Sequence, residues 1–217
     1  MNSQYFENLI GAIMEEDRFR GELAMAKKEF EEVAGQLMES DRSFYARINA
    51  FHNWYVLDRT MAKTGKTPLA YYLEFNANSI PEDAAEGYRE LGQNVNSLFK
   101  LLKISRDRAY VRDMMSRKKH VVDGAEQLAF LERGDLFNTR VFKHGKQEYL
   151  TNYLILHPLS VSKIIRAEAR KVRKSGRDSR AFLNRLLFFH SRWEQFTQMD
   201  LDKIYRFPAE GNGNPDV

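Results

Sequence analysis

Between Lys163 and Arg180 the chain carries cations at steps that one helix would gather: Lys163, Arg166, Arg170, Arg173, Lys174, Arg177 and Arg180. Residues three, four and seven apart share a helical face. Arg166, Arg170 and Arg173 therefore line up, with Lys163 and Lys174 close to them. Such a stripe holds anions, and along a nucleic acid each phosphate bound releases condensed counterions. The charge is local. Ten basic residues from Lys163 to Arg192 face only Glu168 and Asp178, whereas all 217 residues sum to +4, so the remainder is net acidic. A solvated face that keeps the protein soluble is the competing reading of the same stripe.

Other residue patterns suggest chemistry less well. Gly65-Lys66-Thr67 resembles the end of a phosphate loop, but that loop needs an earlier glycine and a strand ahead of it. Thr60 stands at the glycine's place and the preceding segment reads as helix. Thr67-Pro68 fits a helix cap followed by proline at the first helical position. The five histidines, His52, His120, His144, His157 and His190, lack the spacing of a zinc helix and read as surface or capping residues. The acidic clusters Glu15-Glu16-Asp17 and Glu29-Glu31-Glu32 fit solvated helix faces better than paired catalytic carboxylates. There is no cysteine, which removes disulfides, thiolate metal sites and cysteine nucleophiles. No motif asks for a metal or cofactor, and none is expected.

The elements that must position the basic stripe follow from periodicity. Residues 1–95 read as a helical region: Phe6, Leu9, Ile10, Ile13 and Met14 recur at helical steps, as do Leu23, Phe30, Val33, Ala34 and Leu37. The second run is open to continuing the first across Gly21. A third face joins Phe44, Ile48, Phe51 and Tyr55, bordered by Trp54, which places Phe51, Trp54 and Tyr55 in structure rather than chemistry. Asp58 beside Arg59 is expected to be partly buried and ion-paired there, fixing the corner before Thr67 and Pro68. Ser79 and Glu82 have capping-box spacing, and that helix should stop near Gly92.

The period then shifts from 3.6 to two. Residues 96–157 are expected to form a small antiparallel sheet of the OB or SH3 type. It should be strongly curved or barrel-like around Phe99, Leu101, Val111, Val122, Leu136, Val141 and Leu154. Gly134-Asp135 and His144-Gly145-Lys146 supply turns. Residues 158–207 read as a basic helical hairpin broken at Ser175-Gly176. Its second helix turns Phe182, Leu186, Phe189, Trp193 and Phe196 inward. The tail 208–217, PAEGNGNPDV, has a disordered composition. The fold class is α+β.

Three segments, FHNWYVLDR (51–59), GKTPLAYYL (65–73) and RGDLFNTR (133–140), together resemble an uncharacterised bacterial family of cytoplasmic proteins. The resemblance implies helices ahead of a small β-rich region and a bacterial cytoplasmic setting; it transfers no catalytic residue. The N-terminus lacks a basic region followed by an apolar run, and no window offers a membrane span. The expected function is a non-enzymatic cytoplasmic binding protein, with nucleic acid as the first partner. The alternatives are an adaptor that docks the basic hairpin on an acidic protein, and an enzyme whose site is assembled from distant polar residues. Oligomeric state does not follow from the sequence.

Overall fold

Apolar stripes at helical spacing fold the first part of the chain into five helices. A computed structural model describes residues 3–207, so the expected tail at 208–217 lies outside the described residues. The helices are α1 (Ser3–Glu15), α2 (Asp17–Ala34), α3 (Phe44–Leu57), α4 (Pro68–Phe75) and α5 (Glu82–Gly92). The break between α1 and α2 falls at Glu16, whose backbone is extended (φ −76°, ψ 127°), and Gly21 lies inside α2. Gly35, at φ +87°, ends α2; a Cβ there would stand 2.9 Å from the Cβ of Ser191, so only glycine permits that approach.

Thr67 caps α4 as expected, its hydroxyl accepting from the Ala70 amide at 3.2 Å with Pro68 at the first helical position. The expected capping box does not form. The Ser79 hydroxyl donates to the Asn76 carbonyl, closing the turn after α4, and α5 starts behind Pro81. Phe51 and Tyr55 are buried in the helical core, and the Trp54 ring lies 5.5 Å from Phe30 of α2.

Alternating residues then build a six-stranded sheet: β1 (Val95–Ser105), β2 (Arg108–Asp113), β3 (Lys119–Asp123), β4 (Leu136–His144), β5 (Gln147–Leu150) and β6 (Ile155–Leu156). β1 pairs antiparallel with β2 through its second half and with β4 through its first. The two pairings overlap at Phe99 and Lys100, and the register with β2 shifts between Leu101 and Lys103. β2 pairs with β3, and β4 with both β5 and β6. β3 meets β5 in parallel at Val122 and Glu148, which corrects the all-antiparallel expectation. The short turn Ala125–Leu128 and β4 intervene in the chain, so β5 reaches β3 by a crossover rather than a hairpin. The pairings thus run β1–β2–β3–β5–β4 and return to β1.

Phe99, Leu101, Val111, Val122 and Val141 fill the sheet's inner cluster with Phe137 and Leu150, and Leu154 packs at its edge. Leu136 belongs elsewhere. Strand alternation turns it, with Leu98, toward the C-terminal helices.

Those helices are α6 (Ser162–Ser175), α7 (Ser179–Gln195) and α8 (Leu201–Ile204). Gly176 ends α6 in the left-handed conformation (φ +67°), and Asp178 caps α7 by accepting from the Arg180 amide at 2.8 Å. Phe182, Leu186 and Phe189 of α7 are buried and Trp193 is half-buried. Phe196 is not inward. It lies just past the helix end, 42% exposed, under the Arg192 guanidinium at 4.3 Å. Among the described residues no helix is long and apolar enough to cross a membrane.

Candidate functional site

Ile165, Ala169 and Val172 make one buried stripe of α6 and pack with Leu98 of β1 and Leu136 of β4. That packing lays α6 against the outside of the sheet and carries its arginine stripe toward β1 and β2. The result is a cleft of about 150 Å³. It is lined by Lys100 of β1, Arg112 and Asp113 of β2, Met114 and Arg117 of the β2–β3 turn, and Arg166, Arg170 and Arg173 of α6. Among the described residues six cations meet one carboxylate there.

The carboxylate is already committed. Asp113, 3% exposed, accepts from the Ser97 hydroxyl at 2.5 Å, from the Met115 amide at 2.8 Å and from the Ser116 hydroxyl. These bonds frame the β2–β3 turn, together with the Arg117 amide donating to the Asp113 carbonyl at 2.9 Å. Arg117 itself sits at φ +67°, a conformation that costs a non-glycine residue about 1 kcal/mol.

The cations are less well matched. Arg173 donates to the Met114 carbonyl at 2.8 Å, tying α6 to the turn, and Arg166 donates to the Ser162 carbonyl at 3.2 Å. The buried Nε of Arg112 has no acceptor. Among the described residues the side chains of Lys100, Arg117 and Arg170 meet no acceptor either. Lys100 stands directly opposite Arg112, and Arg112 directly opposite Lys119, a rung of three like charges across β1, β2 and β3. Like charges paired across strands destabilise a sheet. Local rules broken in a fold concentrate at functional or strained sites.

Of the seven basic residues expected to act together, Arg166, Arg170 and Arg173 reach the cleft and four do not. Lys163 is only about 20° round the helix from Arg170 but roughly 10 Å before it along the axis, and Lys174 lies about 100° round from Arg173. Arg177 turns back to Glu168 at 2.8 Å, where Lys171 also reaches at 3.4 Å. Arg180 lies past the Gly176 turn and lines a different surface with Ala181 and Arg206. Lys100, Arg112 and Arg117 were missed. The outward positions of Lys100 and Arg112 in alternating strands were the available signal, whereas Arg117 sits in the turn, and only the tertiary packing places all three beside α6.

Two structural expectations change. Asp58 does not pair with Arg59; it holds Arg140 of β4, which is 1% exposed and also donates to the Asn94 side-chain oxygen at 2.6 Å. Arg59 instead donates to Glu22 at 2.7 Å and to Glu29 at 2.7 Å, and that bond holds the Glu29 carboxyl below the usual range. The histidines are not all at the surface: His120, His157 and His190 are 3%, 2% and 4% exposed. His157 lies between the Asn138 amide oxygen at 3.0 Å and the Tyr205 hydroxyl at 3.2 Å. Burial drives His157 well below its ordinary pKa and His190 down to about 3. Among the described residues no three histidine, aspartate or glutamate side chains gather as a metal would require.

A wider groove of about 620 Å³ runs beside β6 and α7, with Phe130, Leu159, Trp193 and His190 on its walls and charges of both signs at its rim. Comparison of the chain with family models, with curated proteins and with solved structures finds no match.

Proposed function

We propose that the protein binds nucleic acid through backbone phosphate and performs no chemistry on it. The observation that carries this is the convergence of Lys100, Arg112, Arg117, Arg166, Arg170 and Arg173 on one cleft whose only carboxylate among the described residues, Asp113, is spent on the turn. A solubilising surface spreads its charges apart, because like charges repel. Here they are gathered from a helix, two strands and a strained turn. We further read the pairing circuit β1–β2–β3–β5–β4–β1 as a small closed barrel of the OB type. That architecture often presents its outer strands to oligonucleotides, an analogy of fold that supports the site without replacing it. A cytoplasmic setting belongs to the same proposal.

The mechanism is electrostatic. Guanidinium forks donate to phosphate oxygens in pairs, and each phosphate held releases a counterion. Bonds to phosphate position a strand without reading its bases. An anisotropy titration of the intact protein with oligonucleotides of mixed sequence at two salt concentrations tests this. Affinity is expected to vary little with sequence and to fall steeply with salt. Replacing Arg166, Arg170 and Arg173 together by Ala should weaken every sequence alike and reduce the log–log salt slope by roughly 0.7–0.9 for each phosphate that is no longer held. Absence of binding at low salt would remove nucleic acid and leave an acidic protein as the partner to seek.

A further inference from the structure

Cations arranged as a row suit the successive single charges of a phosphodiester backbone, whereas the six here surround one small space. We infer that the cleft receives the end of a single strand, a terminal phosphomonoester, with the adjoining base laid over Tyr110. This rests on the nucleic-acid reading above.

The concentration of charge fits a strand end. A phosphodiester carries one negative charge, and a phosphomonoester about 1.5 to 2 at neutral pH with three accepting oxygens. The cleft of about 150 Å³ gathers the side chains of Arg112, Arg117, Arg166 and Arg170 around that single volume. Arg173, bonded to the Met114 carbonyl, bridges helix and turn and so fixes one wall.

The spacing along β2 fits it as well. Tyr110 and Arg112 project from the same outer face of the strand, two residues apart, which is about 6.8 Å at ~3.4 Å per residue. That is the reach between a phosphate and its own base. The Tyr110 ring is half-buried with the Lys103 ammonium 4.4 Å from its centroid, and Val121, 39% exposed, stands opposite it on β3. Aromatic and apolar surface beside a cation accepts a base and the next phosphate together. The end base of a duplex is held by its pairing and by its one stacked neighbour, so laying it over Tyr110 beside the bound phosphate requires an unpaired strand end.

The experiment uses the full chain and four labelled DNA oligonucleotides of one sequence: 5′-phosphorylated, 3′-phosphorylated, hydroxyl at both ends, and a blunt hydroxyl-ended duplex. One phosphorylated end is expected to bind about tenfold or more tighter than the hydroxyl-ended strand, since bonds to a charged group exceed neutral ones by that margin. Arg112→Gln should erase the preference for that end while weak, salt-sensitive binding of all strands persists. If that variant unfolds by circular dichroism, Arg170→Gln, on the exposed helix face, replaces it. Tyr110→Ala should weaken both phosphorylated and hydroxyl-ended single strands by roughly tenfold and leave the duplex alone. Equal affinity for every end, with salt-dependent binding intact, overturns the inference and leaves the nucleic-acid reading standing. A nucleoside monophosphate that binds as tightly as the phosphorylated strand also overturns it, by making the ligand a free nucleotide. No binding of any oligonucleotide removes both.

Discussion

Two sets of arginines in this molecule have opposite circumstances. Arg47, Arg59 and Arg140 in the helical layer and on β4 are almost wholly buried, and the terminal nitrogens of each find acceptors, although the Nε of Arg47 and of Arg140 has none, as at Arg112. Arg47 alone donates to the carbonyls of Leu187, Gly35 and Gln36 at 2.9 Å and of Ala34 at 3.3 Å. The cleft arginines are half-buried or exposed, crowd one another, and find few acceptors in the protein. The buried set shows what a folded chain does with a guanidinium when the purpose is structure: it supplies acceptors, because an unpaired buried charge is costly. The cleft set has fewer acceptors still, which is the ground for proposing a ligand there.

The largest effect is expected at Arg47. Arg47→Ala leaves buried carbonyls from the end of α2 and from α7 without donors, and thermal unfolding should show a loss of about 3–5 kcal/mol. A loss below about 1 kcal/mol would mean that satisfied arginines are no more structural here than unsatisfied ones.

Acid should separate the two regions next. His157 and His190 are neutral in the fold with pKa values held below the unfolded value of about 6.5. Their contribution is complete above that pH and is lost as pH falls toward about 3, because the unfolded chain takes up protons that the fold resists. Stability at pH 5 should be lower than at pH 7.5 by about 2 kcal/mol for His190, and His190→Gln should flatten that slope. The cleft arginines keep their charge throughout this range.

Arg117→Gly gives the sharpest contrast of sign. The turn geometry at φ +67° suits glycine, so stability should hold or rise by up to about 1 kcal/mol. Anion affinity should meanwhile fall severalfold. A variant that is both weaker in binding and less stable would make Arg117 a structural residue. The smallest effect on the fold belongs to Arg170→Ala, within about 0.5 kcal/mol by denaturant unfolding, with a reduced salt dependence of oligonucleotide binding.

Local chemistry made much of the architecture legible. Thr67-Pro68 starts α4, Gly176 and Asp178 divide α6 from α7, and the shift in period after Gly92 announces the strands. Each depends on residues a few positions apart, where sequence and geometry are tied by the backbone itself. Asp58 was legible as a partner for a cation but not for which one. Arg59 is adjacent, yet just past the end of α3 it pairs with Glu22 and Glu29 of α2, and the partner, Arg140, lies 82 residues on. Ser79 shows the converse: it has the right spacing for a capping box, but its hydroxyl is taken by the preceding turn.

The sequence by itself determined that a basic helix would exist and that Arg166, Arg170 and Arg173 would share a face, since 3.6 residues per turn leaves no other choice. It also determined the outward positions of Lys100 and Arg112, because strands alternate. Only the tertiary structure decided that these two sets meet. The meeting depends on the register that sets Lys100 opposite Arg112 and on the burial of Ile165, Ala169 and Val172 against Leu98 and Leu136. Apolar packing is non-directional, so a sequence states that a helix face will be covered but not which surface will cover it.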